Sequence, residues 1–156
     1  MDALPLKVQP AIPMVDLQAQ FAFIGAEIRA AIDEVLARQQ FILGPQLASL
    51  EQEVARLSNR RLGIGVASGT DSLLLALRAS GIGHGDEVIV PAFTFIATAS
   101  AVSTLGARPV FTDIESRTFN LDPTQLESKI TSKTRAIIVV HLYGLPADMD
   151  PILAIA

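Results

Sequence analysis

The stretch VASGTDSLLLAL, residues 66–77, joins a short apolar run to an apolar helix through a turn of small residues. In a strand–turn–helix unit, such a turn places the free N–H groups of the helix start at the carboxyl end of the strand. Those N–H groups and the helix dipole favour an anion such as a phosphate. Ser, Thr and Asp are also common helix caps, so capping alone explains the same residues. The stretch therefore predicts a strand-to-helix junction and leaves both explanations open.

Short apolar runs and helical patterns alternate on both sides of this junction. The predicted strands are 62–68, 86–91, 108–114 and 134–142. The predicted helices that follow them are 70–80, 94–105, 123–130 and one that begins near residue 148. Continuous apolar strands that alternate with helices are typical of βαβ units. We therefore predict a three-layer α/β fold in which helices cover both faces of a mostly parallel sheet.

The first third of the chain has a purely helical pattern. Apolar residues recur at spacings of three and four over 14–40, which predicts one long amphipathic helix. Gly44 and Pro45 interrupt that pattern, and Pro45 suits the first position of a second helix. We expect residues 1–13 to form an irregular N-terminal arm and residues 14–156 to form part of one larger domain.

Composition argues against several classes of function. The 156 residues include no cysteine, which excludes disulfides, a thiol nucleophile and cysteine-ligated metal, and fits a cytoplasmic protein. The net charge of −4 leads us to expect no nucleic-acid partner. The uncharged stretch 88–107 contains a proline and several hydroxyl residues, so we predict a strand, loop and helix there and no membrane span.

Three further residues are expected at the carboxyl edge of the sheet, where ligands bind in open α/β folds. Phe93 and Phe95 follow the second predicted strand, and their rings are placed either to stack on a planar cofactor or to pack in the core. His141 ends the fourth predicted strand, either as a structural residue or as part of a pocket lining. The sequence gives His141 no partners at metal-ligand spacing, so we predict no metal site.

Six segments occur in order along the chain from Ile12 onward: IPMVDL, FILGPQLASLEQEVA, ASGTDSLLLAL, GIGHGDEVIVPAFTFIATASAV, GARPVFTDIESRTFNLDP and TSKTRAIIVVHLYGLPADMDPI. Together they resemble the DegT/StrS family of pyridoxal-phosphate-dependent sugar aminotransferases. The resemblance covers almost the whole chain. It implies the N-terminal part of the large domain of a fold-type I pyridoxal-phosphate enzyme.

The resemblance implies roles for individual residues. Gly69, Thr70 and Asp71 are expected to hold the phosphate of pyridoxal 5'-phosphate through backbone N–H groups and the Thr hydroxyl. Asp71 is expected to contribute mainly its N–H group, because a carboxylate aimed at a phosphate would repel it. Phe95 is expected to stack on the cofactor ring. The residues expected to line the substrate pocket are Phe41, Ile42, Gly44, His141 and Tyr143.

The resemblance also implies a reaction and its partners. Family members aminate a keto sugar linked to a nucleotide, take the amino group from glutamate or glutamine, and work as homodimers. The reaction needs a Schiff-base lysine and an aspartate paired with the pyridinium nitrogen, and both family positions lie beyond Ala156. The lysines present, Lys7, Lys129 and Lys133, are not placed to reach the carboxyl edge. We therefore expect no catalytic residue in this chain, and an N-terminal fragment that is inactive alone.

Other functions are consistent with parts of the pattern. A phosphate site without catalytic groups also fits a non-catalytic module that binds a phosphate-bearing ligand or a partner chain. A remnant that folds poorly is a third hypothesis. A nucleotide-binding oxidoreductase fits the fold class, but the G-x-G-x-x-G fingerprint is missing.

Overall fold

The computed structural model describes residues 13–156. They form two compact units that divide between Gly65 and Val66. The expected N-terminal arm, residues 1–13, lies almost wholly outside the described residues. The assignment of residues 14–156 to part of one larger domain stays a prediction.

The first unit contains two helices, α1 (Leu17–Arg38) and α2 (Pro45–Leu57). Asp16 caps α1, because its carboxylate accepts a hydrogen bond of 2.9 Å from the N–H group of Ala19. Gln39 ends the helix in the left-handed conformation. Pro45 occupies the first turn of α2, where the missing N–H group has no consequence. Both helices predicted for this part of the chain are confirmed.

The predicted strand 62–68 is not a strand. A strand requires a neighbour whose backbone groups complete its ladder of hydrogen bonds, and none of the described residues pairs with this segment. Within the first unit, the N–H group of Gly65 donates to the Glu51 carboxylate at 2.6 Å. Residues 62–68 therefore have no helix or strand and link the two units.

The second unit is a three-stranded parallel sheet with four helices. Its elements are α3 (Gly69–Ala79), β1 (Glu87–Pro91), α4 (Ala97–Thr104), β2 (Arg108–Thr112), α5 (Leu126–Lys129), β3 (Thr134–Ile137) and α6 (Met149–Ile155). The strand order is β2-β1-β3, and both pairs are parallel. The predicted parallel sheet is confirmed, but it has three strands among the described residues instead of four.

The side chains of β1 alternate between two separate cores. Val88 and Val90 pack with residues of α3 and α4 on one face of the sheet. Ile89 points to the other face, where it packs with residues of α5 and α6. All three side chains are fully buried. The helices therefore cover both faces, which confirms the predicted three-layer arrangement.

Helix α4 begins at Ala97, three residues later than predicted. The chain bends after β1, and the first hydrogen bond of the new turn runs from the N–H group of Thr98 to the carbonyl of Phe95. The hydroxyls of Thr94 and Thr98 lie 3.1 Å apart. An apolar pattern does not show where the chain bends, so it overestimates the length of this helix.

Strand β3 ends at Ile137, five residues before its predicted end. The N–H group of Ile138 still donates to the carbonyl of Ile89 at 2.9 Å. In this register the next donor toward β3 would be residue 91, which is a proline without an N–H group. The ladder therefore stops there, and residues 138–141 leave the sheet.

The amino ends of the strands are joined by a buried carboxylate. Glu87 of β1 is only 6% exposed. One of its oxygens lies 2.9 Å from the guanidinium of Arg108 on β2. The other accepts a 2.7 Å hydrogen bond from the Thr131 hydroxyl, which precedes β3. A single side chain thus links the starts of all three strands.

Replacing Arg108 by alanine should destabilise the chain, because Glu87 would stay buried without its charged partner. We expect Arg108→Ala to lower the free energy of unfolding by about 1–3 kcal/mol. The control is Arg38→Ala, which removes an exposed pair with Glu34 and should cost about 0.5 kcal/mol or less. Urea unfolding measures both, and equal losses in the two variants would contradict the role given to Glu87.

Asp122 caps the helical segment that follows β2. This segment begins as a 3₁₀ turn, Pro123–Gln125, and continues as α5, close to the predicted helix 123–130. The Asp122 carboxylate accepts hydrogen bonds from the hydroxyl and the N–H group of Thr124, at 2.7 and 3.0 Å. The hydroxyl bond is the main cause that lowers the pKa of this carboxyl below its usual value.

The stability that is lost when this cap is removed should depend on pH. Asp122→Ala should lower the free energy of unfolding by about 1 kcal/mol at pH 7. A depressed pKa in the folded state means that the stabilisation is present above the unfolded pKa of about 3.9 and is lost as the pH falls through the folded value. The difference from wild type should therefore shrink below about pH 4 in urea titrations. Asp148→Ala is the control, since Asp148 precedes α6 without a capping side-chain bond. A loss for Asp122→Ala that is constant down to pH 3 would contradict this account.

Candidate functional site

The start of α3 carries unpaired backbone donors at the carboxyl edge of the sheet. The N–H groups of Gly69 and Thr70, the first two of the helix, have no acceptor among residues 13–156. The Thr70 side chain is exposed beside them. Free N–H groups at a helix start, together with the helix dipole, form an anion site.

Asp71 is engaged differently from its two neighbours. Its N–H group donates to the Ser68 hydroxyl oxygen at 3.1 Å, so this donor is already paired in the structure. Its carboxylate accepts from the same hydroxyl at 3.0 Å. The carboxylate is therefore held by the cap of its own helix. The expectation that the Asp71 N–H group contributes to a phosphate site stays a prediction, and it would require the bond to Ser68 to open.

Glycine at position 69 leaves room for a ligand. A Cβ atom added there would meet no protein atom within 4 Å. The folded chain therefore does not need glycine at this position for its own packing. The open space at the Gly69 Cβ position suits close approach of a ligand to the backbone.

The two candidate phenylalanines lie in the bend after β1 and have different surroundings. Phe95 is 72% exposed, so it is not a core residue. Phe93 is about half exposed, and its ring centroid lies 6.0 Å from that of Phe119 at a tilted angle. Phe95 thus presents a free aromatic face, whereas Phe93 packs on a neighbouring ring.

One cavity of about 530 Å³ brings four of the expected site residues together. These residues are Gly69, Thr70, Phe95 and His141. The rest of the lining includes Thr94, Thr98 and the residues that follow β3, 138–140. The volume lies in the range of small-ligand sites. Sequence reasoning missed the two threonines, although hydroxyl residues four apart at a helix start were a usable signal.

A second cavity of about 350 Å³ shares Thr94 and Phe95 with the first. Its other lining residues are Phe93, Leu142 and Tyr143. Tyr143 is 86% exposed and has the left-handed backbone angle φ of 52°. The structure therefore places Tyr143 beside the first cavity and not in it. Its expected role in substrate binding stays a prediction.

His141 is oriented by a backbone hydrogen bond. The N–H group of Ala147 donates to its Nδ1 atom at 3.0 Å. A ring nitrogen that accepts a hydrogen bond carries no proton, so the neutral ring has its proton on Nε2. His141 therefore presents a donor in the lining of the first cavity.

Phe41, Ile42 and Gly44 lie in the first unit, in the connection between α1 and α2. Phe41 and Ile42 are exposed, and Gly44 is the residue before α2. Their expected contribution to a substrate pocket stays a prediction, because the site described above belongs to the second unit.

The lysines of the described part lie away from the cavity. Lys129 ends α5. Lys133 lies at the amino end of the sheet, where its carbonyl accepts from the N–H group of Glu87. Within residues 13–156, no three His, Asp or Glu side chains are grouped to hold a metal ion. No helix in the same range has the length and apolar character to cross a membrane.

Comparison with known proteins identifies the family. The model of the DegT/DnrJ/EryC1/StrS aminotransferase family matches residues 22–156. This chain belongs to that family. It is 58% identical over 146 residues to UDP-N-acetyl-3-dehydro-alpha-D-glucosamine 3-aminotransferase of Acidithiobacillus ferrooxidans. The matched residues make up 94% of this chain and 40% of that protein.

Solved aminotransferase structures share the fold. DesV from S. venezuelae, in complex with a ketimine intermediate, has a TM-score of 0.91 at 47% identity, over 95% of this chain and 40% of that one. NtdA from Bacillus subtilis, with the bound cofactor PMP, has a TM-score of 0.89 at 35% identity, over 98% of this chain and 35% of that one. The chain thus spans about 40% of the length of its DegT/DnrJ/EryC1/StrS relatives.

The state of His141 can be tested by NMR. Long-range ¹⁵N–¹H spectra of the neutral ring should show a proton on Nε2 and none on Nδ1, because Nδ1 accepts from Ala147. Exposed His84 is the control, since no hydrogen bond from the described residues selects its tautomer. A proton on Nδ1 of His141 would contradict the orientation described above.

Proposed function

We propose that this chain supplies the phosphate-binding and ring-stacking part of a pyridoxal-phosphate-dependent aminotransferase that acts on a nucleotide-linked keto sugar. The observation that carries the proposal is the first cavity, which combines the free N–H groups of Gly69 and Thr70 with the exposed ring of Phe95. Membership of the aminotransferase family and the relative named for a UDP-linked keto sugar support the choice of substrate class.

The residues present fit the cofactor at both of its ends. The two free N–H groups and the Thr70 hydroxyl suit a phosphate, and the space above Gly69 admits it without a steric conflict. Phe95 offers an aromatic face for a planar ring. When bound, the cofactor would supply the electron sink that amino-group transfer requires.

The residues of this chain would bind and orient. Gly69 and Thr70 would hold the phosphate, and the Asp71 carboxylate would not repel it because Ser68 turns that carboxylate aside. Phe95 would fix the plane of the ring. His141 would donate a hydrogen bond from Nε2 within the same cavity.

Amino-group transfer also needs a lysine and a carboxylate next to the cofactor. The described residues place no lysine at the carboxyl edge of the sheet. We therefore propose that both groups come from outside residues 13–156. For the whole enzyme we propose glutamate or glutamine as amino donor, a homodimer, and a cytoplasmic location in keeping with the absence of cysteine. The missing lysine also favours a second candidate, a module that binds a phosphate-bearing ligand without catalysis.

The cofactor site can be tested by titrating the purified chain with pyridoxal 5'-phosphate and measuring the dissociation constant by absorbance. Thr70→Val should weaken binding about tenfold or more, because a hydrogen bond to a charged phosphate is lost. Phe95→Ala should weaken it several-fold. Gly69→Ala should weaken it without loss of stability, because the added methyl group occupies the ligand's space and touches no protein atom.

Two matched controls separate the site from general effects. Thr104→Val alters an exposed hydroxyl on the last residue of α4, and Phe111→Ala removes a half-exposed ring on β2. Both should leave the dissociation constant unchanged. Unchanged affinity in Thr70→Val and Phe95→Ala would overturn the assignment. Conversion of a UDP-linked keto sugar to an amino sugar by these 156 residues alone would show that the catalytic groups lie within them.

A further inference from the structure

The connection between β2 and α5 is a closed loop. Residues Ile114 and Leu121 pair at its base. Glu115 closes it from both sides, because its N–H group donates to the Asn120 carbonyl and its own carbonyl accepts from the N–H group of Phe119, each at 2.9 Å. The Glu115 carboxylate also accepts from the N–H group of Thr118 at 2.8 Å. Such a loop holds its last two residues, 119 and 120, in fixed positions.

Asn120 is buried, and both polar atoms of its side-chain amide are hydrogen-bonded. Its residue exposure is 3%. Its Oδ1 atom accepts from the N–H group of Leu142 at 2.9 Å, and its Nδ2 atom donates to the carbonyl of Leu145 at 3.0 Å. These partners are the first and last residues of one turn, which lies more than twenty positions further along the chain. A buried side chain that bridges both ends of a turn restricts the turn more than either bond alone.

The turn at 142–145 needs such an anchor. Tyr143 and Gly144 both have left-handed backbone angles, with φ of 52° and 84°. This conformation is unfavourable for tyrosine, so the surrounding contacts have to hold it. Leu142 and Tyr143 of this turn line the second cavity. The residue before them, His141, lines the first cavity.

The other segment that lines the second cavity also contacts this loop. Phe119, also left-handed at φ of 60°, packs its ring against Phe93. Phe93 lines the second cavity together with Leu142 and Tyr143 of the turn. Two adjacent residues of one loop thus contact both segments that line this cavity, Phe119 through an aromatic pair and Asn120 through its amide.

We propose that Asn120 is a positioning residue that holds the 142–145 turn, and with it Tyr143, at the second cavity, while Phe119 holds Phe93 in the lining of the same cavity. Neither side chain lines the cavity itself. The positioning is a property of the chain whatever ligand is bound. Only its effect on cofactor or substrate binding rests on the function proposed above.

Tyr143 provides a direct probe of this role. It is the only tyrosine of the chain, and the chain has no tryptophan, so its fluorescence reports on the turn alone. In Asn120→Ala, time-resolved anisotropy of Tyr143 should decay faster than in wild type, and exchange of the Leu142 amide proton should be about tenfold faster. Gln125→Ala is the control, because that half-buried amide bonds only to nearby Asp122. It should leave both readouts unchanged.

If the alanine variant fails to fold, Asn120→Asp separates the effects of the two hydrogen bonds that the Asn120 amide makes to the turn. It keeps the acceptor for the Leu142 N–H group and removes the donor to the Leu145 carbonyl. We expect faster depolarisation of Tyr143 with little change in Leu142 exchange. Wild-type anisotropy in a folded Asn120→Ala or Asn120→Asp variant would overturn the proposal.

A binding measurement distinguishes failure of this proposal from failure of the proposed function. Pyridoxal 5'-phosphate is the probe, and Asn120→Ala should weaken its binding less than Thr70→Val does, because Asn120 acts through the turn and not through the phosphate. If wild type does not bind the probe, the proposed cofactor site fails. The anisotropy and exchange results then still decide whether Asn120 positions Tyr143.

Discussion

Burial of β1 on both faces is the constraint on which the rest of the second unit depends. Its apolar side chains enter one core with α3 and α4 and another with α5 and α6, so loss of the strand would expose both. Both neighbouring strands pair with β1 and not with each other. Its first residue, Glu87, contributes the buried carboxylate that connects the three strands.

The site follows from where β1 stops. Pro91 cannot donate to the segment after β3, so that segment leaves the sheet and brings His141 to the carboxyl edge. The bend after Pro91 places Phe95 at the same edge. The start of α3, which precedes β1 in the chain, lines the same cavity. Three segments that are distant in sequence therefore share one cavity at this edge.

Family membership and geometry give complementary information about this chain. The family matches cover nearly all of it but only about 40% of its relatives. Consistent with that share, the described residues place free N–H groups and an exposed aromatic ring in one cavity, while their lysines lie away from it. The cavity therefore supports the proposed part in cofactor binding, and the proposed covalent chemistry would require other residues.

The sequence by itself determined most of the helices and the alternation of strands and helices, because local periodicity and caps are properties of neighbouring residues. Its ordered motifs indicated the family, and that resemblance pointed to Gly69, Thr70, Phe95 and His141, which the structure brings to the first cavity. Only the tertiary structure decided that 62–68 is not a strand, that β3 ends where Pro91 offers no donor, and that Asn120 anchors a turn more than twenty residues away. Strand pairing and long-range hydrogen bonds depend on which segments meet in space, and no local pattern encodes that.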